Sequence, residues 1–255
     1  IFDSSFDESL KKIKSALSSF KPDITCISIS SDLMPNAKKI ATFSKRINST
    51  IIIGGPYATL QPTKVMKEIK EVDYLISGLA DKIFPELANN LNNFSKLKFL
   101  KGISYKKDKK IFFTGEQLFN DDLDELPFPD YELLPTSKKY FEFGAVTIMS
   151  SLGCPFMCSF CQPTLNKLFG KKVRFRNQKN VIEEINYLLE KYSVKEIYFV
   201  DDTFGLNKKW LEKFVYLFQQ RNFKDVKSLV NSRVDILNET IVSLFKKMNC
   251  SLISI

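Results

Sequence analysis

Three of the five cysteines, Cys154, Cys158 and Cys161, stand in the spacing C-x3-C-x2-C inside the stretch Ser151 to Cys161, S-L-G-C-P-F-M-C-S-F-C. Gly153 and Pro155 keep this backbone in an open loop, where three thiolates can wrap one metal centre. Thiolate sulfur selects zinc, copper(I) or an iron–sulfur cluster. A structural zinc site wants four protein ligands, usually as two pairs, and the sequence has no histidine to act as the fourth. An ordinary 4Fe-4S cluster also uses four cysteines. Three cysteines would leave one iron open, which suits substrate chemistry better than electron storage. The competing arrangement is a zinc loop completed by Cys26 or Cys250.

The elements that would position this loop follow from the hydrophobic pattern. Ala145 to Ser150 reads as a buried strand delivering the cysteines. A helix capped by Asn177 carries Val181, Ile185, Leu188 and Leu189 on one face. Strands at Glu196–Val200, Lys227–Asn231 and Ser251–Ile255 alternate with helices at Asn207–Gln220 and Asn238–Met248. The cysteine loop, Asp201-Asp202 and Arg233 all fall just after strands, which in a β/α barrel is the rim where functional residues gather. A paired aspartate there could equally cap the following helix, and Arg233 could equally sit in a surface ion pair. Four strands leave an unpaired apolar edge at Ser251 to Ile255.

Upstream, amphipathic stretches at Phe6–Phe20, Pro35–Ile47, Thr63–Ile69 and Lys82–Leu91 alternate with apolar runs at Ile24–Ser30, Thr50–Ile53 and Tyr74–Ile76. This alternation predicts a parallel, doubly wound sheet. Ligands in such sheets lie beyond the carboxyl ends of the strands. Here those ends are Ser30-Ser31-Asp32, Gly54-Gly55-Pro56-Tyr57 and Ser77-Gly78, small and polar where a bulky ligand could approach the backbone. Between residues 92 and 140 the pattern gives a connector: a β-hairpin of Gly102–Tyr105 and Ile111–Thr114, then an acidic, proline-bearing stretch from Asp121 to Pro135.

The cysteine motif, C-x3-C-x-aromatic-C with Phe160 as the aromatic, resembles the signature of the radical S-adenosylmethionine (SAM) enzymes. In that family three cysteines hold a 4Fe-4S cluster whose open iron chelates the amino and carboxylate groups of SAM. Reductive cleavage then gives a 5'-deoxyadenosyl radical. The upstream segment resembles the cobalamin-binding domain of one large radical SAM class, through Lys21-Pro-Asp-Ile24 with Ile27-Ser28, Ile53-Gly-Gly-Pro-Tyr-Ala-Thr59, and Asp73-Tyr-Leu-Ile-Ser-Gly78 with Phe84-Pro-Glu-Leu87. The linker form L-D-E-L-P-F-P also occurs in that class.

The resemblance implies an α/β chain in which a Rossmann-like doubly wound cobalamin-binding domain (1–91) precedes a hairpin and linker (92–140). A partial (β/α) radical SAM barrel (141–255) would follow. It implies Cys154, Cys158 and Cys161 as 4Fe-4S ligands. Phe160, Asp201, Asp202 and Arg233 would serve SAM, with Thr203 a weaker candidate. Ser30, Ser31, Gly54, Gly55, Tyr57, Ser77 and Gly78 would serve cobalamin. Departures are visible. The family often has histidine where Tyr57 stands, Gly-Glu-Gly-Glu where Gly78-Leu79-Ala80-Asp81 stands, and arginine where Leu152 stands. Without histidine, any cobalamin would bind with no imidazole lower ligand from this chain.

The activity implied is radical SAM chemistry, with cobalamin-dependent methyl transfer to an unactivated carbon of a small-molecule substrate. The alternatives are a cobalamin-binding radical cyclase or rearrangement enzyme and, outside enzymes, a zinc-stabilised or electron-carrier module. A flavodoxin- or ferredoxin-type electron donor is the implied partner. Composition agrees with a globular chain: 255 residues, 44% hydrophobic, 26% charged, net charge +9. No apolar run approaches a membrane span, no secretory signal opens the sequence and the cysteines do not form a disulfide framework. A reducing cytoplasm is therefore expected. The lysines are spread over the whole length and read as a solvated surface. The densest basic patch, Lys167 to Arg176, could attract an anionic substrate, and no aromatic-basic motif points to nucleic acid.

Overall fold

The structure is a computed structural model that describes residues 1–3, 9–108, 110–117, 119, 122–142, 144–161, 164–221, 223 and 225–255. The expected helical residues 6–8, and Asp121 at the head of the acidic stretch, lie outside these. Two compact units are formed: residues 2–119 with 157–170, and residues 1, 120–156 and 171–255.

In the first unit α1 (Leu10–Phe20) leads into β1 (Ile24–Ser28), α2 (Met34–Arg46), β2 (Thr50–Gly54), α3 (Pro56–Leu60), α4 (Pro62–Glu68), β3 (Tyr74–Ile76), α5 (Ile83–Asn89), α6 (Phe94–Leu97), β4 (Ile103–Lys107) and β5 (Lys110–Phe113). The strands lie side by side in sequence order. The first three are parallel. Side chains of successive strand residues point to opposite faces, and this period divides the core. Ile51, Ile53 and Leu75 pack with Ala37 and Ala41 of α2 and Val65 and Met66 of α4. Ile52, Tyr74 and Ile76 pack with Ile83 and Leu87 of α5 and Leu97 of α6. A sheet covered on both faces explains why Thr50–Ile53 reads as an unbroken apolar run.

Two features differ from the sequence-based expectation. The hairpin expected in a separate connector pairs antiparallel with β3, setting Tyr74 opposite Tyr105 and Ile76 opposite Ile103. It supplies partners to a strand edge that would otherwise present unpaired N–H and C=O groups. Pro56 also starts a short helix, α3, between β2 and the predicted helix at Thr63–Ile69. Proline at a first helical position loses no hydrogen bond.

The second unit holds a 3-10 turn (Tyr131–Leu133), α7 (Ser137–Glu142), β6 (Ala145–Ile148) and β7 (Ser151–Leu152). The chain then passes through α8 (Thr164–Phe169), which packs on α3 in the first unit. It continues with β8 (Arg174–Phe175), α9 (Gln178–Lys191), β9 (Glu196–Phe199), α10 (Lys208–Gln220), β10 (Lys227–Asn231), α11 (Glu239–Lys247) and β11 (Cys250–Ser254). β6, β9, β10 and β11 form an all-parallel sheet of consecutive neighbours. Among the described residues this sheet is open, and no closed barrel is formed.

α9, α10 and α11 each start on an asparagine whose side chain accepts a first-turn N–H: Asn177 from Lys179, Asn207 from Trp210, Asn238 from Ile241. The helices bury one apolar face against Val146, Ile148, Ile197, Phe199 and Val230 of the sheet. Phe214 lies at the centre, fully buried, with ring centroids 5.2 Å from Trp210 and 5.7 Å from Phe199. Phe214→Ala should therefore lower unfolding free energy by about 3–5 kcal/mol, measured by urea denaturation. Asn238→Ala, losing only a cap, should cost about 1 kcal/mol.

Candidate functional site

In the second unit the cysteine loop leaves from the carboxyl end of the parallel sheet. The entering strand is shorter than the sequence suggested. β6 stops at Ile148, and β7 pairs antiparallel with β8, setting Ser151 opposite Phe175 and Leu152 opposite Arg174. Gly153, next in the chain, has φ +97°, and a Cβ there would lie 3.0 Å from the Lys172 carbonyl oxygen. Glycine is required at this close approach.

The segment following β9 grips this entry residue by residue. Asp201 is 1% exposed. Its carboxylate accepts hydrogen bonds from the Ser150 N–H (3.0 Å), the Ser150 hydroxyl (2.7 Å) and the Ser151 hydroxyl (2.5 Å). Asp202 is half-buried and accepts from the Gly153 N–H. Thr203 is buried, with its hydroxyl 3.5 Å from the Cys154 Sγ. The D-D-T sequence thus runs alongside Ser150 to Cys154. Burial pushes both carboxyls above the usual aspartate range; the hydrogen bonds oppose that shift.

The end of β10 adds a second hold. Asn231 accepts from the Tyr198 hydroxyl at 2.7 Å, and the Ser232 hydroxyl donates to the Phe204 carbonyl at 3.0 Å. Arg233 donates to both carboxylate oxygens of Asp235, at 2.9 and 2.7 Å. Its guanidinium carbon lies 3.8 Å from the ring centroid of Phe156, within the cysteine loop. That bidentate pair holds Asp235 below the usual carboxylate range. One edge of the guanidinium is thus engaged within the chain.

The basic patch is only partly a surface. Arg174 and Arg176 are 3% and 7% exposed. Arg176 donates to the Met149 carbonyl at 2.8 Å and to Asn180, pairs with the buried Glu184 and lies over the Phe128 ring. Arg176 thus ties β8 and α9 to the strand exit, and burial withdraws both arginines from the expected anion-attracting face. A buried cation without such partners would cost several kcal/mol.

Of the other predicted residues in this region, Cys154 is buried and groups with the second unit, whereas Cys158, Cys161 and Phe160 fall in 157–170, which groups with the first. Phe160 is 93% exposed. Among the described residues no three Cys, Asp or Glu side chains are gathered closely enough to hold a metal ion. Thiols have no mutual attraction that would gather them; ligand ordering and metal binding are linked. The donor set itself fits an iron–sulfur centre, since three thiols lie between residues 154 and 161 and no histidine competes.

In the first unit the carboxyl ends of β1, β2 and β3 are stitched together. Ile29 N–H donates to the Gly54 carbonyl, and Tyr57 N–H donates to the Ile29 carbonyl. Gly55 has φ +96° and leaves no space for a side chain, since a Cβ would lie 2.7 Å from the Ile29 nitrogen. Thr59 accepts from Gly78 N–H at 2.9 Å and donates to the Gly55 carbonyl at 3.0 Å. Gly78 has φ +93°. Gln117 bonds Leu79 twice, accepting from its N–H at 2.7 Å and donating to its carbonyl at 2.6 Å.

Ser30 and Ser31 stand at the mouth of β1, with the Ser30 hydroxyl donating to Asp32. The structure therefore brings Ser30, Gly54, Gly55, Tyr57, Ser77 and Gly78 to one sheet end. The Ser77 hydroxyl is buried with no hydrogen-bond partner among the described residues, an orphan that a bound polar group would satisfy. This rim fits a large ligand that approaches the backbone. It offers no imidazole.

Sequence reasoning missed Ser150, Ser151, Phe156, Asp235, Thr59 and Gln117 as parts of these rims. Asp235 and Phe156 were legible only as neighbours of Arg233 and Cys154; nothing local marks Gln117.

Comparison with known proteins agrees with this architecture. Residues 148–255 match the Radical SAM superfamily. The chain is 34% identical to an uncharacterized methyltransferase of Pyrococcus horikoshii over 96% of its own length and 53% of that protein's. It is 26% identical to the anaerobic magnesium-protoporphyrin IX monomethyl ester cyclase of Rubrivivax gelatinosus, over 94% of the chain and 44% of the relative. The fold superposes on the radical SAM methyltransferase TsrM from Kitasatospora setae with a TM-score of 0.81 at 15% identity, over 99% of this chain and 52% of that one. The chain spans about half the length of these relatives.

The Asp201 contacts yield two expectations. Asp201→Ala leaves an N–H and two hydroxyls buried without their acceptor and should cost about 3 kcal/mol, read by urea denaturation. Because its folded pKa is raised, the native state binds a proton more readily than the unfolded chain. This contribution to stability is present below the ordinary aspartate pKa and is lost as pH rises through the folded value. The stability difference between wild type and Asp201→Asn should vary with pH across that interval only.

Proposed function

We propose that this chain is the cobalamin- and SAM-binding portion of a radical SAM methyltransferase that acts on an unactivated carbon of a small-molecule substrate. The observation that supports this reading is the entry to the C-x3-C-x-Phe-Cys motif, Ser150 to Cys154, held at the carboxyl end of a parallel β/α sheet by Asp201, Asp202 and Thr203. It lies within the stretch that matches the Radical SAM superfamily. When bound, a 4Fe-4S cluster supplies the electron for SAM cleavage and cobalamin supplies a methyl carrier.

This chain's residues do the holding. Cys154, Cys158 and Cys161 would hold the cluster. Gly153 lets the loop pass close to Lys172. Asp202, half-buried with the Gly153 N–H as its donor among the described residues, is the better placed of the two aspartates to meet the SAM amino group; Asp201 is engaged by Ser150 and Ser151. The exposed Phe160 ring offers a face for the adenosyl portion. In the first unit, the Gly55 and Gly78 rim with Ser30, Ser31, Gly54, Tyr57 and Ser77 is the surface proposed for cobalamin. A Rossmann-like domain followed by a partial barrel is the architecture this reading assigns to the two sheets. A reduced flavodoxin- or ferredoxin-type protein would be the electron donor.

The second reading is a radical cyclase, favoured by the likeness to the Rubrivivax gelatinosus cyclase. Both readings require the same cluster. Anaerobic reconstitution with iron and sulfide should give a 4Fe-4S electron paramagnetic resonance signal that shifts on adding SAM. Cys158→Ala should abolish it. A protein that retains one zinc and forms no cluster would refute both. Transfer of a labelled methyl group to product by the full-length enzyme separates methyltransferase from cyclase. Gly55→Leu should weaken hydroxocobalamin binding by at least about tenfold in a visible-absorption titration, because the side chain would meet the β1 backbone.

A further inference from the structure

Arg233 stands where a carboxylate-binding arginine was expected, but its surroundings give it another task. The guanidinium is held flat by two hydrogen bonds to Asp235, at 2.9 and 2.7 Å. Its carbon lies 3.8 Å from the centroid of the Phe156 ring. At that distance the cation sits on the ring face, where the attraction to the π electrons is strongest. Phe156 lies two residues after Cys154 and two before Cys158, at the turn of the motif. On either side of it Pro155 and Met157 are exposed, Met157 to 72%.

Arg233 itself is anchored. It follows Ser232, which is buried, hydrogen-bonded to the Phe204 carbonyl and, through its N–H, to Ser254. The chain of contacts therefore runs from the end of β10, through the Asp235-locked guanidinium, to the ring between the first two cysteines.

We infer that Arg233 and Asp235 form a clamp that positions the Cys154–Cys158 segment through the face of Phe156. Arg233 is a positioning residue: it acts on the loop through Phe156. The arginine needs Asp235 because an unpaired guanidinium would rotate off the ring. It needs to be arginine because a planar cation can stack and bond bidentately at once, whereas an ammonium cannot. This assignment goes beyond the proposed activity, since the clamp is a property of the loop whether or not a cluster is bound.

The test is hydrogen–deuterium exchange of the chain as it stands, without added metal, followed over the amides of residues 153–158. Arg233→Gln and Phe156→Leu should each speed exchange there by about three- to tenfold, the size of one stacked cation–π contact. The double variant should be no faster than either single one, because both remove the same contact. Phe156→Tyr, which keeps the ring face, should behave as wild type, and Arg233→Lys as Arg233→Gln. Unchanged exchange in both single variants, or effects that multiply in the double variant, would overturn the clamp. In protein reconstituted with iron and sulfide, cluster loss to a chelator should follow the same order. If wild type takes up no cluster, the radical SAM reading fails while the exchange result still decides the clamp.

Discussion

A buried carboxylate with three donors around it organises the second unit. Asp201 sits at the end of β9, where solvent is excluded, and an aspartate there is tolerable only if its oxygens are satisfied. Ser150 and Ser151 satisfy them. Because those serines lie on the neighbouring strand's exit, meeting the carboxylate's demand fixes where the chain leaves the sheet. Everything downstream inherits that direction: the β7–β8 pairing, the tight passage of Gly153 past Lys172, and the placement of Cys154 beside Thr203.

The same logic recurs in other chemistry. Arg176 and Glu184 are a buried pair whose charges could not persist singly, and their partners Met149 and Asn180 tie the start of α9 to the strand exit. In the first unit the three strand ends are tied by backbone and by Thr59, with Gln117 closing on Leu79. Glycine is favoured at 55 and 78 because the backbone there turns through positive φ, and at 55 the Ile29 backbone also leaves no room for a side chain. Both sheet ends are thus stiff frames around short exposed segments, the arrangement expected where a scaffold must present a ligand-binding loop. No helix of the described residues is long and apolar enough to cross a membrane.

Much of this was legible in the sequence. The cysteine spacing has a chemical meaning that requires no fold, since it states a donor set. The strand and helix alternation followed from periodicity, and Asn177, Asn207 and Asn238 lie at the caps their side chains favour. Asp201, Asp202 and Arg233 were recognisable as strand-end polar residues because polarity after an apolar run is a local signal.

Their partners were not legible, because a hydrogen bond between residues fifty positions apart leaves no trace in local composition. Asp201 and Asp202 are adjacent and identical in type, yet one is enclosed by serines and the other meets the loop backbone; only the packing of β6 beside β9 separates them. Arg233 read as a SAM-carboxylate partner or half of a surface ion pair, and only tertiary structure set Asp235 and Phe156 against it. The hairpin looked like a connector because β3's need for an edge partner is a property of the assembled sheet. The sequence by itself determined the donor chemistry and the periodicity of the elements. Tertiary structure decided which polar groups are enclosed and which remain available, because burial is set by what the rest of the chain places on top of them.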